Sequence, residues 1–422
     1  MSKVAVIGGG ASGLVAAYYA AANEASVTVF EKNEIVGRKL RLTGNGRCNY
    51  SNEDLNLSHY EHSYGHSNPD FLDAMGFEDD LKLISSVIGE NGREEFTAFL
   101  ESCGILTTHH NEYYYPFSER AGEMTDTLFG VLKRKGIEFK LGTQVQSVTH
   151  ASDGKFEIEG EKFDALILAT GGKAAPKTGS DGSGYRIARC FGHTVTYTYP
   201  VLVALNYDAS YGDALAGIRC RGLAKGIVDE EEICSSLGEI QFTKDCVSGI
   251  PVFQLSRRLT KPIEEKKNVQ IEIDFIPQIK EEDLDSFLSA RKENLGSPDS
   301  KEFFAGMLPE KLTEFLLDDF SKVDYHETYD SSTFEKRFLT YLKHYRIPIH
   351  SHAGYDSAQC TRGGVDLSEL DDTLQSKLIP NLYFAGEMTD VDGDCGGYNL
   401  QWAFSSGKMA GVCAAHAAGD QV

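Results

Sequence analysis

A short β-branched run, Val4-Ala5-Val6-Ile7, passes directly into Gly8-Gly9-Gly10-Ala11-Ser12-Gly13. A strand that ends in G-x-G-x-x-G and continues into an Ala-rich helical stretch, Leu14 to Ala22, leaves few folds open. The first glycine of such a loop makes a tight turn, the second admits a close backbone approach, and the third lets the helix pack on the strand. The helix start near Ser12 presents unpaired N–H groups and the positive end of the helix dipole, which suits a phosphate. Val27 to Phe30 reads as the next strand and ends at Glu31, eighteen residues past Gly13. A carboxylate there can accept hydrogen bonds from both ribose hydroxyls and repels a 2′-phosphate, so the predicted ligand is FAD or NAD rather than NADP. Gly8, Gly10, Ala11, Ser12, Gly13 and Glu31 are the predicted dinucleotide contacts.

Two further segments favour FAD. Glu31 is followed by Lys32 and by the cationic, glycine-rich loop Gly37-Arg38-Lys39 to Thr43-Gly44-Asn45-Gly46-Arg47-Cys48-Asn49. Arg38, Lys39 and Arg47 are placed to neutralise a long diphosphate or an anionic flavin, which a plain NAD dehydrogenase does not need. The loop lacks the Gly-Lys-Ser/Thr of a Walker A sequence. Far downstream, the apolar strand Leu382-Tyr383-Phe384-Ala385 ends in Gly386-Glu387, suited to ribityl hydroxyls. Gly396-Gly397-Tyr398-Asn399-Leu400-Gln401 then opens an Ala/Ser-rich helix. Adjacent glycines let backbone lie against a flat ring, and the helix start would stabilise negative charge on a reduced flavin, worth about 1 kcal/mol when partly buried.

The chain has 422 residues, enough for two or three packed units, with an ordinary balance of 41% hydrophobic and 25% charged residues. Its 63 acidic residues outnumber 41 basic ones, giving a net charge of −22. That charge argues against nucleic acid and anionic lipid as partners. No apolar stretch approaches the roughly 20 residues of a membrane span. The N-terminus reads as a strand rather than a secretory signal, and nine scattered cysteines without a C-x-x-C pair fit reduced thiols. A cytoplasmic location is expected.

The first unit reads as one βαβ. A helical region is predicted from about Phe71 to Ser102. Phe139 to Val148, Phe156 to Glu159 and Ala165 to Leu168 read as a meander returning to a parallel sheet, with Asp153-Gly154 as a hairpin turn. Thr170-Gly171-Gly172 ends its last strand. Residues from about His193 to Asp274 read as strand-rich, and about Glu281 to Leu342 as helical. The predicted fold is α/β: a Rossmann-like domain split in sequence (1–192 plus 347–422), an inserted β-barrel-like domain (193–278, returning near 330–346) and a small helical subdomain (279–330). His344, His350 and His352 lack the spacing of a metal site, and no metal is expected. Tyr113-Tyr114-Tyr115-Pro116 reads equally as a substrate wall or an ordinary edge strand.

Taken together, GGGASG, GRKLRLTGNGRCN, LATGG, TRGGV (Thr361 to Val365) and GEMTDVDGDCGGYNLQWAFSSG resemble a bacterial family of FAD-dependent oxidoreductases. Its relatives are described as aminoacetone oxidases and as reductases of unsaturated bile-acid intermediates. The resemblance spans nearly the whole chain and includes GEIQFT in the insert. It departs at Ile250, where proline is expected directly after Ser248-Gly249. It implies a Rossmann-like FAD domain, a β-barrel insert and a helical subdomain, with FAD held non-covalently. It places Gly8, Gly10, Gly13, Glu31 and Lys32 at the ADP half, with Thr170 and Gly171 close by and the backbone of Val145, in a strand, against adenine. Arg38 and Lys39 fall by the phosphates or ribityl chain, and Gly386 and Glu387 by the ribityl and pyrophosphate. Asn45, Gly46, Arg47, Cys48, Gly397, Asn399 and Leu400 fall towards the flavin. Arg47, Cys48 and Asn399 are flavin-proximal candidates, and no catalytic residue is assigned.

The expected activity is hydride transfer between a small organic molecule and flavin N5, with NAD(P)H as a transient donor. Absence of a second G-x-G-x-x-G with a following acidic residue argues against a separate NAD domain. The alternatives are an amine oxidase of aminoacetone type that forms peroxide and, from another class, a flavin-bearing RNA-modification protein. The sequence sets no oligomeric state.

Overall fold

The computed structural model describes residues 1–63, 77–296, 300–322 and 333–416. Its contacts fall into two units, Met1–Pro200 with Gln359–Val422, and Val201–Ala358.

The first unit is built on a five-stranded parallel sheet. In chain order its strands are β1 (Lys3–Ile7), β2 (Ser26–Phe30), β3 (Glu138–Lys140), β4 (Ala165–Leu168) and β5 (Leu382–Phe384). They lie side by side as β5–β4–β1–β2–β3, every pair parallel. Side chains alternate between two cores. Val4, Val6, Val27, Val29, Ala165 and Ile167 enter one, whereas Ala5, Ile7, Phe30, Leu166 and Leu168 enter the other. Burial on both faces explains why these strands read as continuous apolar runs. Helix α1 (Ala11–Ala22) crosses from β1 to β2, and helix α2 (Tyr398–His416) packs along it. Their closeness is set by glycine: a Cβ on Gly407 would sit 2.5 Å from the Ser12 carbonyl oxygen, and one on Gly411 2.4 Å from that of Ala16.

Two expectations need correction here. The strand expected from Phe139 to Val148 is confined to Glu138–Lys140. Gly142 turns the chain at φ 67°, and the N–H groups of Gly142 and Thr143 donate to the carbonyls of Asn33 and Glu31. Val145 therefore follows the turn that bonds to the end of β2 and lies outside any strand. The helical region divides into Phe77–Ile88 and Gly92–Ser102, and residues 71–76 of that expectation lie outside the described residues. The segments Thr149–His150, Phe156–Ile158 and Glu161–Phe163 form a separate antiparallel sheet, turned at Gly154 and Gly160.

The second unit holds a seven-stranded antiparallel sheet, with Arg219–Val228 and Glu231–Phe242 as its long central hairpin. Helix Ile250–Glu264 covers it, and Pro251 sits in that helix's first turn, where a missing N–H costs nothing. Helices Glu310–Lys322 and Phe334–Lys343 bury Leu312, Leu316, Phe320, Phe338 and Leu339 in the same core as Ile271, Ile273 and Ile347 of the sheet. Residues 323–332, where the helical subdomain was expected to end and the chain to return to the insert, lie outside the described residues.

Candidate functional site

The glycines of the first loop divide by what the protein itself demands. Gly8 turns at φ 111°, and a Cβ there would lie 2.3 Å from the Ala169 carbonyl oxygen. A Cβ on Gly13 would lie 1.9 Å from the Gly8 carbonyl oxygen. Gly10 differs: its φ is −84°, and a Cβ there would meet no protein atom within 4 Å. Nothing in the chain requires glycine at that position, whereas a pyrophosphate laid across it does. Gly10 is also the N-cap of α1 and supplies no side-chain cap, so the first N–H groups, at Ala11 and Ser12, open towards the same space. On this test the residues fit a dinucleotide.

Glu31 is buried at the end of β2. Its Oε2 accepts from Gly9 N–H at 2.7 Å, and its Oε1 accepts from Asn33 N at 2.8 Å and Asn33 Nδ2 at 2.6 Å. Oε2 is therefore the oxygen with acceptor capacity left for a ribose hydroxyl. Lys32 pairs with Asp181 at 2.8 Å, and Arg38 Nη1 donates to Asn33 Oδ1 at 2.9 Å. Lys39 and Glu387, distant in sequence, meet at 2.5 Å, and Glu387 Oε1 also accepts from Thr361 N at 2.9 Å. Gly386 turns at φ 73° just ahead of this pair, its N–H held by Ser406 Oγ at 2.9 Å. Thr170 Oγ1 contacts Met388 Sδ at 3.2 Å, and Gly171 turns at φ 73°. Gly8, Gly10, Gly13, Glu31, Lys39, Thr170, Gly386 and Glu387 thus gather around the carboxyl ends of β1, β2, β4 and β5, where ligands of open α/β sheets bind.

The candidates assigned towards the flavin behave differently from one another. Asn45 and Gly46 lie in a left-handed turn. Arg47 reaches away to Glu119 at 2.5 Å, and its guanidinium lies 4.7 Å over the Tyr115 ring. Cys48 is fully buried in the core around Val36, Leu40 and Tyr50, and burial pushes its thiol up to about 12. Its side chain is packed among those apolar neighbours. Asn399 spends its side chain on the loop before α2. Its Nδ2 donates to Gly393 O at 2.8 Å, and its Oδ1 accepts from Gly393 N at 2.9 Å and Cys360 Sγ at 3.0 Å. Gly397 turns at φ 101°, and Leu400 packs on the core.

Sequence reasoning missed a buried polar layer behind this loop. Asp392 pairs with Arg362 at 2.7 Å, Arg362 also binds Glu61, and all three are buried. Asp390 is equally buried, its Oδ1 accepting from Ser63 N at 3.0 Å and its Oδ2 from Thr196 Oγ1 at 3.0 Å. Among the described residues no cation pairs with it, and burial pushes its carboxyl up to about 6. The signal was present: three aspartates alternate through Asp390-Val391-Asp392-Gly393-Asp394, and acids in an apolar setting require compensation elsewhere. Of the histidines once weighed for a metal, His344 binds Glu272 at 3.2 Å and His352 binds Glu264 at 3.3 Å. Among the described residues no cluster of three or more His, Cys, Asp or Glu could hold a metal ion, and no helix is long and apolar enough to cross a membrane.

A doubly covered parallel sheet, an uncapped helix start at Gly10 and an acid closing β2 define a Rossmann-type dinucleotide fold, and family membership with a reductase relative makes the class an FAD-dependent oxidoreductase. The chain belongs to the HI0933-like protein Rossmann domain family, whose profile matches residues 2–413. It is 33% identical over 425 residues to a 3-dehydro-bile acid delta(4,6)-reductase of Clostridium scindens, covering 98% of this chain and 99% of that protein. It is 29% identical over 418 residues to a ribosomal RNA dihydrouridine synthase of Haemophilus influenzae, covering 96% of each. Among solved structures it is similar to a flavocytochrome c3 fumarate reductase in its open conformation, with a TM-score of 0.49 and 16% identity, covering 99% of this chain and 79% of that one.

Proposed function

We propose that the chain holds one FAD across the loop Gly8–Gly13 and the start of α2, and reduces a carbon–carbon double bond conjugated with a carbonyl. The observation that carries the FAD placement is the clear space at Gly10, the fingerprint glycine that the protein's own packing does not require. The relatives carry the reaction type. A delta(4,6)-reductase and a dihydrouridine synthase, by their names, both add two hydrogens to such a bond. An apolar conjugated ketone of steroid type is the preferred substrate, because the reductase relative is the more similar.

Bound FAD would supply hydride from N5, with NAD(P)H as its transient donor. The chain supplies position and charge. Glu31 holds the adenosine ribose through Oε2, and Val145 faces the adenine end. Gly10, Ala11 and Ser12 receive the pyrophosphate. Lys32 and Arg38 flank it, Lys32 already paired with Asp181, and Lys39 with Glu387 fixes the ribityl stretch. The backbone N–H groups of Asn399 and Leu400, after the Gly396-Gly397 turn, face the pyrimidine edge. The Tyr113 ring lies beside that turn, 3.3 Å from where a Cβ on Gly396 would stand. Burial pushes its phenol up to about 12, so Tyr113 Oη keeps its proton at neutral pH and is a donor.

Mixing the FAD-loaded protein with candidate reductants under nitrogen tests this. Bleaching of the flavin by NADH or NADPH, and its recovery on adding a conjugated steroid ketone, is the expected result. Bleaching by amines alone contradicts it and favours the oxidase. A second reading, RNA modification, is favoured by the dihydrouridine synthase relatives. The net charge of −22 opposes it. Recovery of the flavin with ribosomal RNA but not with the ketone would establish it instead.

A further inference from the structure

Gly396 and Gly397 lead the chain into α2 at φ 139° and 101°, where a side chain is not tolerated. A Cβ on Gly397 would lie 2.6 Å from the Ser51 carbonyl oxygen. The freedom that permits this turn also leaves the peptide shared by the two glycines easy to rotate, because neither flank carries a side chain to resist it. Asn52 holds that peptide. Buried in the short strand Ser51–Asn52, it donates from Nδ2 to the Gly396 carbonyl at 3.0 Å. Its Oδ1 accepts from Asp54 N–H at 3.2 Å, which fixes the amide with its amino end towards the turn. The strand is itself anchored. Ser51 and Asn52 pair with Tyr114 and Tyr113, and Ser51 Oγ donates to Gln401 Oε1 at 2.7 Å.

Holding one end of a planar peptide sets the other. Among the described residues every peptide bond is trans, so the Gly396 C=O and the Gly397 N–H point opposite ways. The Gly397 N–H is therefore turned away from Asn52. Among the described residues it has no acceptor, although the Gly397 carbonyl takes the Gln401 N–H at 2.9 Å.

We propose that Asn52 is a positioning residue, which locks the Gly396–Gly397 peptide so that the Gly397 N–H becomes a donor to the flavin. This rests on the reading above that the start of α2 meets the flavin. The Gly397 N–H would then add to those of Asn399 and Leu400. Such a donor favours a reduced, negatively charged flavin over the oxidised one, and so raises the reduction potential. With the peptide turned over, the Gly396 carbonyl would stand in the place of that N–H and oppose the same charge.

Asn52→Leu removes the donor at similar volume, and Asn52→Ala serves if Asn52→Leu folds poorly. Ser51→Ala is the control, because it loosens the same strand from Gln401 without touching the Gly396 carbonyl. Two properties of the FAD-loaded proteins are measured before and after reduction with dithionite. One is the reduction potential; the other is the pair of amide signals from Gly397 and Leu400, in protein carrying isotopically labelled glycine and leucine. In the wild type both signals move on reduction. In the Asn52 variants the Leu400 signal still moves and the Gly397 signal does not. Their preference for reduced over oxidised FAD falls about tenfold, a potential lower by about 30 mV. Ser51→Ala keeps both the Gly397 response and the potential. A wild-type Gly397 signal that ignores reduction while Leu400 responds overturns the inference. So do Asn52 variants that keep the Gly397 response or the wild-type potential, and a Ser51→Ala protein that loses as much as they do. A wild type that takes up no FAD, or whose Leu400 signal ignores reduction, overturns instead the reading on which the inference rests.

Discussion

Arg362 lies between Asp392 and Glu61 with less than a tenth of its surface exposed, and the two carboxylates keep it charged. A buried pair of this kind gives modest net stability, but breaking it strands the other charges. Arg362→Leu removes the guanidinium that Asp392 and Glu61 share, and is expected to cost about 3–5 kcal/mol in urea unfolding. A cost under about 1 kcal/mol would mean water reaches these carboxylates. The same scale shows what sequence could not supply. Glu31 was legible as an acid closing a strand, but not that Asn33 and Gly9 already engage it. Arg47 was legible as a cation beside a glycine loop, but its partner Glu119 is 72 residues away. Pairings of that separation are fixed by packing, which local spacing does not encode.

Strands β1, β2, β4 and β5 were readable because burial on both faces makes each a short, mostly apolar run, as in Ala165–Leu168 between Asp164 and Thr170-Gly171. The long strand expected to Val148 failed because Gly142 and Thr143 bond to the end of β2 instead of extending a ladder. The strand Glu161–Phe163 was missed because three residues carry almost no periodic signal. Contact between α1 and α2 was equally hidden, although Gly407 and Gly411 lie four apart and so share one helix face. That spacing predicts a measurable penalty. Gly407→Val forces a side chain against the Ser12 carbonyl, and is expected to cost about 1–3 kcal/mol, seen as an earlier unfolding midpoint at unchanged slope. An unchanged midpoint would show that the helices separate without loss.

At the scale of the whole molecule, the net charge of −22 faces a ligand that is itself an anion. Among the described residues the cations of the entry loop are largely committed: Lys32 to Asp181, Lys39 to Glu387, Arg41 to Asp126 and Arg47 to Glu119. Long-range repulsion therefore opposes encounter, and salt screens it. The rate of FAD association, followed by quenching of flavin fluorescence, is expected to rise between about 10 mM and 150 mM salt. A rate that falls would show that the loop attracts the diphosphate despite its pairing. If the open side of Gly10 is the pyrophosphate seat, a side chain placed there excludes FAD without disturbing the protein. FAD is titrated into the wild type and into Gly10→Val, with the thermal midpoint of each ligand-free protein recorded alongside. One FAD per wild-type chain, none on Gly10→Val, and matching ligand-free midpoints are expected, because beyond its chain neighbours a Cβ there meets no protein atom within 4 Å. Equal FAD binding by both proteins would contradict that seat.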